Sequence, residues 1–113
     1  MISSPALFLR VVAIAGTLAT VFDGCGESGG DPLAARGRQL YLGQCVQCHS
    51  ADPATAGAVG PAVKGASREL LEAKIIRGEY PQGYAPKRPT RIMPPQPTLA
   101  PDIPALAAYL RES

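Results

Sequence analysis

The residues of this chain whose types and spacing could do chemistry are Cys45-Val46-Gln47-Cys48-His49. Two thiols three positions apart are followed at once by the single histidine of the sequence. Three chemistries compete for that pattern. A structural zinc ion takes four ligands, normally supplied as two pairs. Here one cysteine pair and one histidine stand without a second pair, so the fourth ligand would have to be Cys25 or a carboxylate. A redox dithiol expects a strand before it and a βαβ setting, whereas the residues before Cys45 read as helix. The third chemistry is covalent haem attachment, in which both thiols add to the vinyl groups of protohaem and the next residue's imidazole ligates the iron. C-x-x-C-H is the signature of that chemistry. The two sulfurs must reach neighbouring pyrrole edges while the imidazole turns under the ring centre, and the spacing suits this. The pattern favours haem.

Haem iron in electron carriers is held by His and Met or by two His. With one histidine in the chain, a bis-histidine site is excluded. Met1 belongs to the leader, which leaves Met93, 44 residues after His49 in Arg91-Ile92-Met93-Pro94-Pro95. Pro94 restricts Met93 to an extended backbone, so a stiff loop presents the thioether. The plainer reading of Met93 is a core residue filling a gap. A ligating imidazole normally donates its other N–H to a carbonyl or carboxylate. Gly60-Pro61 is a stiff turn able to offer the Pro61 carbonyl.

These residues need elements to hold them. Asp31-Pro32 opens a helix, Asp as N-cap and Pro at the first helical position. Leu33, Gly37, Leu40, Tyr41 and Gln44 then recur at helical spacing, so the helix runs to about residue 44. Gly37 lies on that face and costs about 1 kcal/mol of helix propensity, acceptable where another helix packs closely over it. Residues 50–66 carry no period and read as loop. Ser67 caps a second helix, with Glu69 in its first turn, Leu71, Ile75 and Ile76 along it, Arg77 in its last turn and Gly78 as its stop. Eight prolines from Pro81 to Pro104 exclude regular helix and central strand. Ile103, Leu106, Ala107 and Leu110 mark a last helix, with Pro104 in its first turn. The fold class is small and all-α, with long loops.

The first part of the chain differs in kind. Val11 to Phe22 is an apolar run of twelve, preceded by Arg10 and followed by Asp23-Gly24-Cys25-Gly26. A bilayer span needs ~20 residues, so the run reads as an export signal over residues 1–24. Gly24-Cys25-Gly26 resembles the processing site of bacterial lipoproteins, where the cysteine becomes the lipidated first residue. Residues 25–30 would then be a flexible tether, and 31–113 the folded domain. Ordinary cleavage nearby, or an unpaired thiol, are the alternatives for Cys25. Three cysteines leave one over from the Cys45/Cys48 pair, and lipidation would give it a fate. Net charge is +2, too small to suggest nucleic acid as a partner. From Lys64 to Arg91 seven basic residues meet three acidic ones, while the remainder of the chain is net negative. Lys87, Arg88 and Arg91 precede Met93 and read either as a docking patch for an acidic partner or as a solvated loop.

From about residue 31 to 112 the chain resembles a class I monohaem c-type cytochrome of bacteria. The resemblance lies in "GRQLYLGQCVQCHS", "GPAVKG", "IIRGEY", "RIMPP" and "IPALAAYL". It implies three main helices around one covalent haem c, the first crossing the last near Gly37 against Tyr109 and Leu110. It also implies His49 as proximal ligand, Met93 as distal ligand and Pro61 as the carbonyl partner of His49. Such a protein is a periplasmic one-electron carrier between redox protein partners, without a small-molecule substrate and not itself an enzyme. Two other roles stay open: a relay domain of a larger membrane-associated oxidoreductase, and a gas-binding or peroxidase-type haem protein.

Overall fold

The computed structural model describes residues 30–113; Cys25 and the apolar run before it lie outside the described residues. Helix α1 spans Pro32–Gln44, and the Asp31 carboxylate accepts from the Leu33 amide as its N-cap. Helix α2 begins at Arg68–Leu71 behind Ser67, whose hydroxyl accepts from the Leu70 amide. It continues as a π-helical stretch, Glu72–Arg77, and stops at Gly78, whose φ of 70° only glycine adopts without cost. A 3₁₀ helix, Pro97–Asp102, leads directly into α3, Ile103–Glu112. Among the described residues there is no strand. The all-α expectation holds.

The structure departs from the sequence reading in three places. The buried stripe of α1 is Ala34, Gly37 and Tyr41, whereas Leu33 is 45% exposed and Gln44 lies outside as well. The apolar period is therefore displaced around the helix, because the small residues Ala34 and Gly37 admit α3 more closely than leucines would. The second helix has the expected limits, but its latter half is widened to a π-turn. There the Ile75 carbonyl accepts from the Gln96 amide at 2.6 Å, tying the helix to the loop that follows Met93. Finally, the proline-rich stretch does hold a helix, the 3₁₀ turn at Pro97–Asp102. It starts on Pro97 and tolerates Pro101 because i→i+3 pairing over so short a run asks for few N–H donors.

The core joins Tyr41 of α1, Leu71 and Ile75 of the second helix, Leu99 of the 3₁₀ turn, and Ile103, Leu106 and Leu110 of α3. Tyr41 and Tyr109 meet across α1 and α3 with ring centroids 5.6 Å apart. Arg36 reaches from α1 to Asp102 through two hydrogen bonds of 3.0 and 2.7 Å. At the crossing itself, a Cβ on Gly37 would meet the Ala105 carbonyl oxygen, the Ala105 carbonyl carbon at 2.5 Å and Tyr109 Cβ at 2.9 Å. The close approach is thus to Tyr109, as expected, and to Ala105, four residues before it on α3, rather than to Leu110. Gly37→Ala gains about 1 kcal/mol of helix propensity, but overpacking against unyielding backbone costs ~1–3 kcal/mol or more. We expect a net loss of about 2 kcal/mol, read as a lower thermal midpoint of the helical signal. A variant as stable as the parent would mean that α1 and α3 part easily.

Candidate functional site

The segment that carries the thiols leaves α1 by a tight turn. The Cys45 amide donates to the Tyr41 carbonyl at 2.9 Å, closing the helix, and the amides of Cys48 and His49 both donate back to the Cys45 carbonyl at 3.2 and 2.9 Å. This turn sets Cys45 half-buried, Cys48 exposed and His49 half-buried. On the far side, Tyr41 reaches past the turn and its hydroxyl donates to the Ser50 carbonyl at 2.6 Å. Burial, with the nearby Cys45, Tyr109 and Asp52 adding to it, pushes that hydroxyl up to about 12. It therefore remains a proton donor throughout the neutral range, and the anchor does not depend on pH there.

The His49 ring is fixed from the loop that follows. Its Nδ1 lies 2.8 Å from the Pro61 carbonyl oxygen. A carbonyl can only accept, so Nδ1 carries the hydrogen, and Nε2 keeps its lone pair for a ligand. The loop reaches the ring because of two glycines. A Cβ on Gly60 would sit 2.5 Å from His49 Nδ1 and Cε1, and one on Gly57 would collide with the Cys48 carbonyl and lie 2.6 Å from the His49 carbonyl carbon. The amides of Val59 and Gly60 donate to the Cys48 carbonyl at 3.2 and 2.8 Å, completing the cradle.

Beside this cradle lies a cavity of about 470 Å³, lined by Cys45, Cys48, His49, Pro61 and Met93 together. Much of the remaining wall is aliphatic, with Val63, Leu70, Leu71, Ile75, Leu106 and Leu110. The volume falls within the range of roughly 300–1,000 Å³ that small-molecule and cofactor sites occupy. The five residues singled out in the sequence are thus brought to one place. Met93 is half-buried and also packs against the hydrophobic core.

The competing chemistries fare less well. Among the described residues no group of three or more His, Cys, Asp or Glu side chains is placed to hold a metal ion, as a zinc site requires. A redox dithiol expects a strand before it and a βαβ setting, whereas Cys45 leaves helix α1 in a domain without strands among the described residues. An apolar pocket, two thiols at its wall and an imidazole with Nε2 free fit a covalently held haem.

The sequence left Lys87 and Arg88 as either a docking patch or a solvated loop, and the structure adds what they bond: both line the cavity, Lys87 donating to the Ala62 carbonyl at 2.8 Å and Arg88 to the Val59 and Gly57 carbonyls at 2.9 and 3.1 Å. Sequence reasoning missed three further residues. Tyr80 and Tyr84 stack at 5.4 Å, with the Lys74 ammonium 4.4 Å from the Tyr80 ring centre, and all three also line the cavity. An aromatic pair four residues apart just beyond Gly78 was the available signal for them.

A small all-α domain that gathers a C-x-x-C-H segment onto the wall of an apolar cavity is a haem-c electron-transfer domain. Residues 34–113 match the family model described as Cytochrome c, and the chain belongs to that family. Its cofactor is haem c, bound covalently, and its partners are redox proteins. No curated protein matches the chain.

Proposed function

We propose that this is an exported, class I bacterial cytochrome, a one-electron carrier of a respiratory chain working in the periplasm. Thioethers from Cys45 and Cys48 hold its haem, with His49 and Met93 as axial ligands. The observation that carries this reading is the 2.8 Å contact between His49 Nδ1 and the Pro61 carbonyl, which leaves Nε2 as the ligating nitrogen in a cavity shared with both thiols and Met93. The haem supplies a one-electron couple. The chain's residues would do the rest: His49 and Met93 would hold the iron, leaving no open place for a substrate, and the aliphatic side chains of the wall would shield the group from water. A thioether ligand raises the potential relative to a second imidazole, so the carrier is a moderately high-potential one.

Residues 1–24 act as the export signal and 25–30 as a tether, with lipid on Cys25 anchoring the domain at the membrane. A tether raises the local concentration of the domain near membrane-bound donors and acceptors. The same feature supports the second reading, a relay subunit of a larger membrane oxidoreductase. Lys74, Lys87 and Arg88 place positive charge at the cavity wall, which favours an acidic docking partner.

The test is spectroscopic. Matured in a host that attaches haem c, the protein should keep its haem through denaturation. In the native ferric state it should show the weak far-red band of methionine–iron ligation, and the ferrous form should not take up carbon monoxide. Covalent haem without that band, with ready carbon monoxide binding, moves the function to ligand chemistry. Absence of covalent haem returns Cys45, Cys48 and His49 to zinc or dithiol chemistry.

A further inference from the structure

Two distant stretches of chain bring the thiols, His49 and Met93 to the cavity wall: the segment from Cys45 through the Gly57–Pro61 loop, and the proline-rich segment that ends in Met93. The side chain of Arg88 spans them. Its half-buried guanidinium donates from Nη1 to the Val59 carbonyl at 2.9 Å and from Nη2 to the Gly57 carbonyl at 3.1 Å. The loop so gripped is the one whose Val59 and Gly60 amides hold the Cys48 carbonyl, and whose Pro61 carbonyl accepts from His49. On its own strand of chain Arg88 is followed by Pro89 and stands five residues before Met93. Proline fixes φ at Pro89, and Pro94 restricts Met93 to extended backbone, so the segment between Arg88 and Met93 is short and constrained at both ends. None of the ion pairs among the described residues includes Arg88. Its partners are carbonyl oxygens, which a planar guanidinium reaches from two separate nitrogens in a fixed geometry, whereas an ammonium must donate from one.

We propose that Arg88 is a positioning residue for both axial ligands. Its guanidinium staples the Met93 segment to the loop that orients His49, so one side chain sets how firmly the two faces of the haem site are held. This rests on the His49 and Met93 ligation proposed above. The fork is charge-assisted and bidentate, the strong form of hydrogen bond. Losing it frees the loop and the Met93 segment locally, while α1 and α3 stay packed through contacts that Arg88 does not touch.

The experiment uses the full chain with haem attached, as parent, Arg88→Gln, Arg88→Lys and, as a control for the lost charge, Arg111→Gln on α3. Amide hydrogen exchange is read at Gly57, Val59 and Gly60 and across α3, and the denaturant midpoints of the far-red band and of the helical circular dichroism are compared. Arg88→Gln should speed exchange at the three loop amides by about tenfold, given what charge-assisted hydrogen bonds contribute, with α3 unchanged. Its far-red band should vanish before the helical signal, where in the parent the two fall together. Arg88→Lys should lie between, since an ammonium can still reach one carbonyl, and Arg111→Gln should match the parent. Unchanged loop exchange in Arg88→Gln overturns the proposal, as does a band that falls together with the helices. A parent without the far-red band overturns the Met93 ligation instead, and the exchange rates then still decide for or against the staple.

Discussion

A chain carrying Cys45→Ala and Cys48→Ala, prepared without haem, is expected to lose cooperative unfolding and much of its helical signal. Among the described residues the largest fully buried side chains are Tyr41, Ile103 and Leu106, a modest core for a domain of this size. Leu71, Ile75, Leu106 and Leu110 of that core also line the cavity. Without haem the aliphatic walls around about 470 Å³ are left to water or must collapse, and burial of that apolar surface against the ring is lost either way. A group that binds only the folded chain also stabilises it by mass action, so the haem is a structural member as much as a redox centre. Thermal melts followed by circular dichroism are the check. A sharp transition with parent helix content in the haem-free double variant would show that the protein core suffices.

The elements that were legible in the sequence share one property: their causes are local. Asp31-Pro32 and Ser67 cap their helices where the sequence places them, because a cap bonds amides two or three residues away. Gly78 ends the second helix for the same local reason. Gly37 was legible as an anomaly, a poor helix former on a face expected to be apolar, and the Ala105 backbone above it explains the choice. The C-x-x-C-H segment, Met93 and Pro61 were legible as chemistry, and the fold gathers them. What escaped was long-range. The Arg36–Asp102 pair spans 66 residues, and the Arg88 bonds span 29 and 31. No periodicity or spacing encodes such pairings. The π-turn at Glu72–Arg77 is likewise completed by an amide from Gln96, beyond any local window. Hence the sequence left Lys87 and Arg88 between a docking patch and a solvated loop, with no sign that both donate to the backbone of the opposite loop.

Those inward bonds alter how the charge near the cavity should be understood. A cation facing solvent is screened within about 10 Å at ordinary ionic strength. A guanidinium held half-buried at the wall of an apolar cavity is screened less, and no carboxylate among the described residues pairs with it. Positive charge so placed disfavours removal of an electron from the cavity's occupant, in the same direction as a thioether ligand. With Met93 as the proposed ligand, ligand chemistry and wall charge would act together toward the reduced state.

The thioether contribution can be separated from packing by Met93→Leu. Leucine nearly conserves the volume of methionine, and such swaps usually cost less than about 1.5 kcal/mol. Met93 is half-buried in a proline-rich loop and packs on the edge of the core, so the helices should survive the change. The sulfur is what disappears. With no second histidine in the chain to replace it, one axial position of the iron is left without its protein ligand. The far-red ferric band should then be lost, the reduction potential should fall well below that of the parent, and the ferrous form should bind carbon monoxide near stoichiometrically where the parent binds little. The helical circular dichroism should match the parent, with a midpoint lower by no more than the packing cost. Loss of the far-red band together with carbon monoxide binding is the decisive reading, because loosened packing also lowers the potential by admitting water but leaves the thioether on the iron. If Met93→Leu kept the far-red band and the parent potential, Met93 would be a core residue filling a gap, and the sixth ligand would have to be sought elsewhere along the cavity wall.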